Sequence, residues 1–186
     1  MPTPNQDIAL FQSIKQGNRL AFNSLFLTYY KSLCQFAYQY TRNKEETEEI
    51  VSDVFFSLWQ NKERIDIELS VKAYLYTCVK NASIALVKKR QPLFNDLEDV
   101  LNSYAARHHE PDSLHEYAEL KEYFNRAIED LPIRCRQIFI LNRFDNLKYK
   151  EIGTLLNISE KTVENQIVKA LVVLRSALKN YITKHY

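Results

Sequence analysis

Residues 151–167 read EIGTLLNISEKTVENQI. A short amphipathic run, a break at Leu156-Asn157-Ile158, and a second run opening at Ser159 predict two helices joined at a fixed angle. Ser159 is a good N-cap, and Glu160 beside it suits the positive end of a helix. Val163, Ile167, Ala170, Leu171, Leu174 and Leu178 form one apolar stripe. At about 100° per residue, Lys161, Asn165, Val168, Lys169 and Val172 fall on the opposite side, with Thr162 at its edge. One face packs while the other offers amide, ammonium and hydroxyl groups. A helix-turn-helix puts such groups in the major groove, where Asn pairs with adenine edges and Lys reaches guanine or phosphate. Asn157 is the non-glycine residue that best tolerates a left-handed turn, and Gly153 permits close approach of the second helix. The same spacing also suits a plain helical hairpin with a solvated polar face.

Outward from this pair the chain is helical nearly throughout. Two glycines and five prolines in 186 residues leave little punctuation for hairpins, so an all-α fold is expected. Ile8, Leu10, Phe11 and Ile14 predict a short helix closed near Gly17. Longer ones follow over Leu20–Tyr40, Glu45–Asn61 and Ser70–Arg90, the last stopping before Pro92. In the third, Ile50, Val51, Val54, Phe55, Leu58 and Trp59 are the expected core. In the fourth, Val71, Leu75, Cys78, Val79, Ala82, Ala85 and Leu86 form the expected buried stripe, with Lys72, Tyr76, Lys80 and Ser83 opposite. Residues 91–112 read as an acidic linker: Asp96, Glu98, Asp99, Glu110 and Asp112 face only Arg107 there, and periodicity is weak. Helical signals resume over Ser113–Asp130, restart after Pro132 as far as Phe144, and run on to about Thr183. The expectation is two small helical domains, 1–90 and 113–186, joined by that linker, the second a helix-turn-helix.

The charge pattern names partners only locally, because net charge is +2. Lys72, Tyr76 and Lys80, with Lys88, Lys89 and Arg90 closing the helix, suit phosphate contact and base stacking. They equally suit dipole compensation and snorkelling lysines. Glu45, Glu46, Glu48, Glu49 and Asp53 make either a solvated acidic face or a docking surface for a basic partner. No histidine lies near them, so no metal site is expected there; His108, His109 and His115 form a pattern that chance explains better. There is no Gly-x-Ser-x-Gly, phosphate-cradling loop or Cys-x-x-Cys, so neither a catalytic residue nor a cofactor is expected. Cys34, Cys78 and Cys135 read as buried thiols of a reducing compartment. With no leader pattern and no membrane-length apolar run, a cytoplasmic protein without membrane insertion is expected.

Three blocks, in order, resemble extracytoplasmic-function (ECF) sigma factors of bacterial RNA polymerase. TRNKEETEEIVSDVFFSLWQNKERI is similar to the helix that binds core polymerase, VKAYLYTCVKNASIALVKKR to the segment that recognises and melts the −10 element, and LPIRCRQIFILNRFDNLKYKEIGTLLNISEKTVENQIVKALVVLR to the −35 helix-turn-helix. The resemblance implies that Glu49, Asp53, Phe56 and Trp59 dock on the β′ clamp helices. It implies that Lys72, Tyr74, Tyr76, Lys80 and Asn81 open and read the −10 element, with Lys88, Lys89 and Arg90 on phosphates and the loop Ile65–Ser70 receiving an unstacked base. Lys161, Thr162, Asn165 and Lys169 would read the −35 element. Implied partners are core polymerase through its β′ and β subunits, promoter DNA and a FecR-type anti-sigma factor of the kind common in Bacteroidetes; no small-molecule substrate is implied. Lys148 stands where the family usually has a Ser or Thr cap, a change expected to weaken that helix start by ~1 kcal/mol. Two rivals are weighed: a LuxR-like regulator that binds promoters without polymerase, and a helical adaptor that binds only proteins.

Overall fold

The computed structural model describes residues 4–67, 70–90 and 115–185, and every regular element among them is a helix. They fall into two compact units, residues 4–90 and residues 115–185. The linker itself, residues 91–112, lies outside the described residues.

The first unit holds α1 (Pro4–Lys15), α2 (Arg19–Thr41), α3 (Lys44–Gln60) and α4 (Val71–Arg90). Gly17, at φ +85°, ends the first turn-back, and Asn18 then caps α2 by accepting from the N–H groups of Leu20 and Ala21. The α2–α3 corner is fastened by residues that satisfy its loose ends. Arg42 takes the left-handed conformation, Asn43 accepts from the Glu46 N–H at 3.1 Å, and the buried hydroxyls of Thr41 and Thr47 meet at 2.6 Å. α2 is the hub, packing on α1, α3 and α4. Its Leu25, Tyr29, Leu33, Phe36 and Tyr40 are fully enclosed. Aromatic rings tie the layers together: Phe26 meets Phe55 edge-on at 4.9 Å, and Phe36 lies 5.1 Å from Tyr76.

A carboxyl group is also buried with this core. Asp7, in the first turn of α1, is 3% exposed and accepts a hydrogen bond from the Tyr29 hydroxyl. The Lys72 ammonium sits 5.7 Å over the Tyr29 ring. Burial raises the Asp7 pKa, opposed by the Tyr29 hydrogen bond and the Lys72 charge.

The second unit holds α5 (His115–Glu129), α6 (Ile133–Arg143), α7 (Tyr149–Leu156) and α8 (Glu160–His185), with α5, α6 and α7 all packed on α8. The α6–α7 link turns through Asn146 at φ 53° and is held by Asn142, whose amide donates to the Leu147 carbonyl at 2.9 Å. α7 starts without a cap acceptor on Lys148. Instead the Glu151 carboxylate accepts the Lys148 backbone N–H at 2.7 Å, which supplies half of a capping box. The α7–α8 turn follows the expectation: Asn157 is left-handed (φ 55°, ψ 49°), and the Ile158 N–H returns to the Gly153 carbonyl at 2.9 Å. A Cβ at Gly153 would lie 2.8 Å from the Ile158 carbonyl oxygen, so only glycine fits.

The structure corrects several facing assignments. Tyr76 and Ser83 are fully buried, not on an outer face, and Ala85 is exposed, because α4 packs against α1, α2 and α3 and its covered arc, Val71, Leu75, Tyr76, Val79, Ser83 and Val87, is turned away from the expected stripe. Cys78, Ala82, Leu86, Val54 and Trp59 are half-buried at the edges of their faces, and Leu178 is 39% exposed. Of the thiols only Cys135 is buried; Cys34 and Cys78 are half-buried. Burial raises the pKa of all three, which suppresses the reactive thiolate.

Two outcomes test this packing. Gly153→Ala should destabilise the protein by roughly 1–3 kcal/mol, the usual cost of overpacking, read as a lower denaturant midpoint; an unchanged midpoint would contradict the close approach. For Asp7, the folded state holds its proton more tightly than the unfolded chain. Stability must therefore fall as pH rises from the ordinary carboxylate pKa of about 4 up through the raised folded value. Asp7→Asn, which still accepts from Tyr29, should lose that fall, so its stability relative to wild type grows across this window; parallel pH profiles would refute it.

Candidate functional site

The outer face of α8 is built as the spacing predicts. Val163, Ile167, Ala170 and Leu174 are buried, and Lys161, Thr162, Asn165 and Lys169 are all exposed. Ser159 caps the helix, accepting from the Thr162 N–H at 3.0 Å, and the two hydroxyls meet at 2.8 Å. Thr162 is thus partly committed to the cap. α8 is anchored from behind by Cys135, whose thiol donates to the Gln166 carbonyl at 3.2 Å, and the guanidinium of Arg134 reaches the Leu156 carbonyl. The exposed helix start is therefore held by a packed turn, an exposed cap and a buried stripe. Val168 and Val172, 54% and 62% exposed, extend the same face. Glu164, absent from the sequence-based candidate set, is exposed there too and pairs with Lys161 at 2.8 Å.

On α4 the expected −10 residues divide. Tyr74, Asn81 and Lys88, seven apart, share the outer stripe with Thr77 and Ala85. Burial pushes the Tyr74 phenol up to about 12, so it stays neutral. Lys72 and Lys80 are half-buried on the flank of the core arc. Tyr76, packed on Phe36, has no ring face open to a base in this structure. Lys88, Lys89 and Arg90 are exposed, but Arg90 forms an ion pair with Glu46 of α3. Its charge is therefore shared between holding the end of α4 and any phosphate it meets. In the Ile65–Ser70 loop, Ile67 is buried and Lys15 donates to the Ile65 carbonyl at 3.0 Å; residues 68–69 lie outside the described residues.

On α3, Glu49, Asp53 and Phe56 lie on one exposed stripe, and Phe56 is 62% exposed. Trp59 is half-buried, edge-on to Phe22 at 5.1 Å and covered by the Lys62 ammonium at 4.5 Å. Leu20 and Leu27 of α2, 79% and 78% exposed, were missed by sequence reasoning although their seven-residue spacing put them on one outward face. On α3 the exposed Phe56 ring shares its stripe with the carboxylates of Glu49 and Asp53. Among the described residues no cluster of three metal-ligating side chains occurs, and no helix is long and apolar enough to cross a membrane.

These surfaces coincide with two known regions. Residues 25–92 match Sigma-70 region 2 and residues 121–174 match Sigma-70 region 4. The chain is 27% identical to the ECF RNA polymerase sigma factor SigW of Bacillus subtilis, over 91% of this chain and 95% of that one. It is 23% identical to the ECF RNA polymerase sigma-E factor of Escherichia coli, over 95% and 94% of the two chains. Solved structures share the fold: CnrH in complex with the cytosolic domain of CnrY (TM-score 0.59, 19% identity, 94% of this chain and 97% of that one) and the sigma factor RpoE of Bartonella quintana in complex with the anti-sigma factor NepR (TM-score 0.58, 21% identity, 85% and 96%). With both regions present in order along one all-helical chain, the protein belongs to the ECF sigma factors of RNA polymerase.

Proposed function

We propose that this sigma factor brings core polymerase to a small promoter set through two separate grips, and that the residues above divide the work. Residues 1–90 bind core enzyme and open the −10 element, 91–112 tether, and 113–186 hold the −35 element. The observation that carries the −35 assignment is the exposed row Lys161, Asn165 and Lys169 on a helix whose opposite stripe is buried. For core binding, Glu49, Asp53 and Phe56 supply exposed acidic and aromatic contacts, with the half-buried Trp59 near them on α3. For the −10 element, Tyr74, Asn81, Lys88 and Lys89 are the better candidates, Lys72 and Lys80 flanking them. Tyr76 would contribute only by supporting α4 from beneath.

The physical logic is one of effective concentration. Each small unit offers only a few phosphate and base contacts, so either alone binds DNA weakly. Held on one polymerase, the second contact becomes intramolecular and overall affinity rises by orders of magnitude. Opening then needs no chemistry from this chain. Trapped bases and phosphates offset an unpairing cost of a few kcal/mol per base. The protein works in the cytoplasm, where polymerase and promoters are. Its activity is held by an anti-sigma factor, a reading supported by the solved relatives captured with CnrY and NepR; a membrane-bound FecR-type protein is the form proposed.

Lys161→Ala with Asn165→Ala should cut run-off transcription about ten-fold or more while leaving core binding intact, since each base-edge pair discriminates by about 1–3 kcal/mol. Loss of core binding instead would contradict the division of labour. Glu49→Lys with Asp53→Lys should abolish co-purification with β′ without unfolding the chain; undiminished co-purification would refute the docking surface.

A further inference from the structure

We propose that Glu164 is a specificity-determining residue of the α8 face, selecting a C·G pair at one position of the upstream promoter element. The inference rests on the reading of α8 as the −35 helix. Glu164 lies in the second turn, exposed, with its Oε2 accepting from the Lys161 Nζ at 2.8 Å. A carboxylate on a helix face that enters DNA meets the phosphate charge, and that repulsion weakens binding to every sequence. The Lys161 ammonium beside it offsets that repulsion locally. A carboxylate offers about four lone-pair positions, and this contact uses one.

The chemistry of the base edges decides what the rest accept. In the major groove guanine and thymine present only acceptors, which a carboxylate repels, and adenine presents an acceptor beside its amino group. Cytosine presents an amino donor alone, next to the O6 acceptor of its guanine partner. The Lys161–Glu164 pair puts a donor beside an acceptor on one helix turn. An A·T pair also offers an amino donor beside the thymine O4, but adenine N7 on the donor's other side repels a carboxylate, which leaves C·G as the better match. The neighbours point the same way. Val168 and Val172, four and eight residues beyond Glu164, put methyl groups on this face. Methyls suit thymine C5-methyl groups and gain nothing from phosphate, so the stripe carrying Glu164 meets base edges, not backbone.

The test uses the full chain with bacterial core RNA polymerase on a promoter library randomised in its upstream element, transcripts being counted by barcode. The wild-type chain should favour C·G at one position by about five-fold or more, the lower range for one hydrogen-bonded base contact. Glu164→Gln, an amide that donates and accepts, should move that preference to A·T at the same position. Glu164→Ala should erase it there and leave the other positions unchanged. If both variants shift output equally on every sequence, with preferences intact, Glu164 is only a solvated charge and the inference fails while the −35 reading stands. If the wild-type chain shows no upstream preference at all, both fall together.

Discussion

The contact between Gly153 and the Ile158 carbonyl sets the angle of the reading helix. At that point the backbones of α7 and the turn come so close that any Cβ would collide. Asn157 supplies the left-handed residue the turn needs, and Ser159 then starts α8. Once the angle is set, the buried stripe of α8 decides by elimination which side chains face outward. Base reading tolerates errors of only about half an ångström in such a constellation, so a polar residue on this helix can select a base only if the turn is rigid. Everything that distinguishes a DNA reader from an ordinary hairpin is downstream of this turn.

The first unit solves a different problem. Its helices leave Leu20 and Leu27 of α2 and the Glu49, Asp53 and Phe56 stripe of α3 in solvent, while α4 ends on Lys88, Lys89 and Arg90. Aromatic packing around α2 gives the rigidity. The Arg90–Glu46 pair and the Asp7–Tyr29–Lys72 cluster place two basic groups of α4 next to acids of other helices. Each such basic group is turned toward the fold, Arg90 to Glu46 and Lys72 to Tyr29. That placement lowers the net positive field, which agrees with a chain that needs a larger enzyme to hold its promoter.

Much of this was legible in the residues themselves. The eight helices of the described residues and the α8 face followed from periodicity, because α8 packs along one narrow stripe and its exposed side is as broad as the spacing implies. The α4 face was not legible. Tyr76 and Ser83 are polar by type, yet three neighbouring helices enclose them, and no local pattern announces how many neighbours a helix will have. Arg90–Glu46 joins positions far apart in the chain, so its basic end read as free for phosphate. At Lys148 the missing cap was visible but its remedy was overlooked: Glu151, three residues on, was the signal for half a capping box. Glu164 escaped because it sits at the border of the apolar stripe, where residue type suggested nothing but solvent.

The central claim is that promoter selectivity belongs to the complex and not to the free chain. It is tested most directly by titrating the purified full chain onto promoter and scrambled duplexes, with and without core RNA polymerase, at physiological salt. The account predicts weak, salt-sensitive and equal binding to both duplexes by the chain alone, and strong preference for the promoter once core enzyme is added. Tight, selective binding by the chain alone, or failure to bind core enzyme, would contradict it.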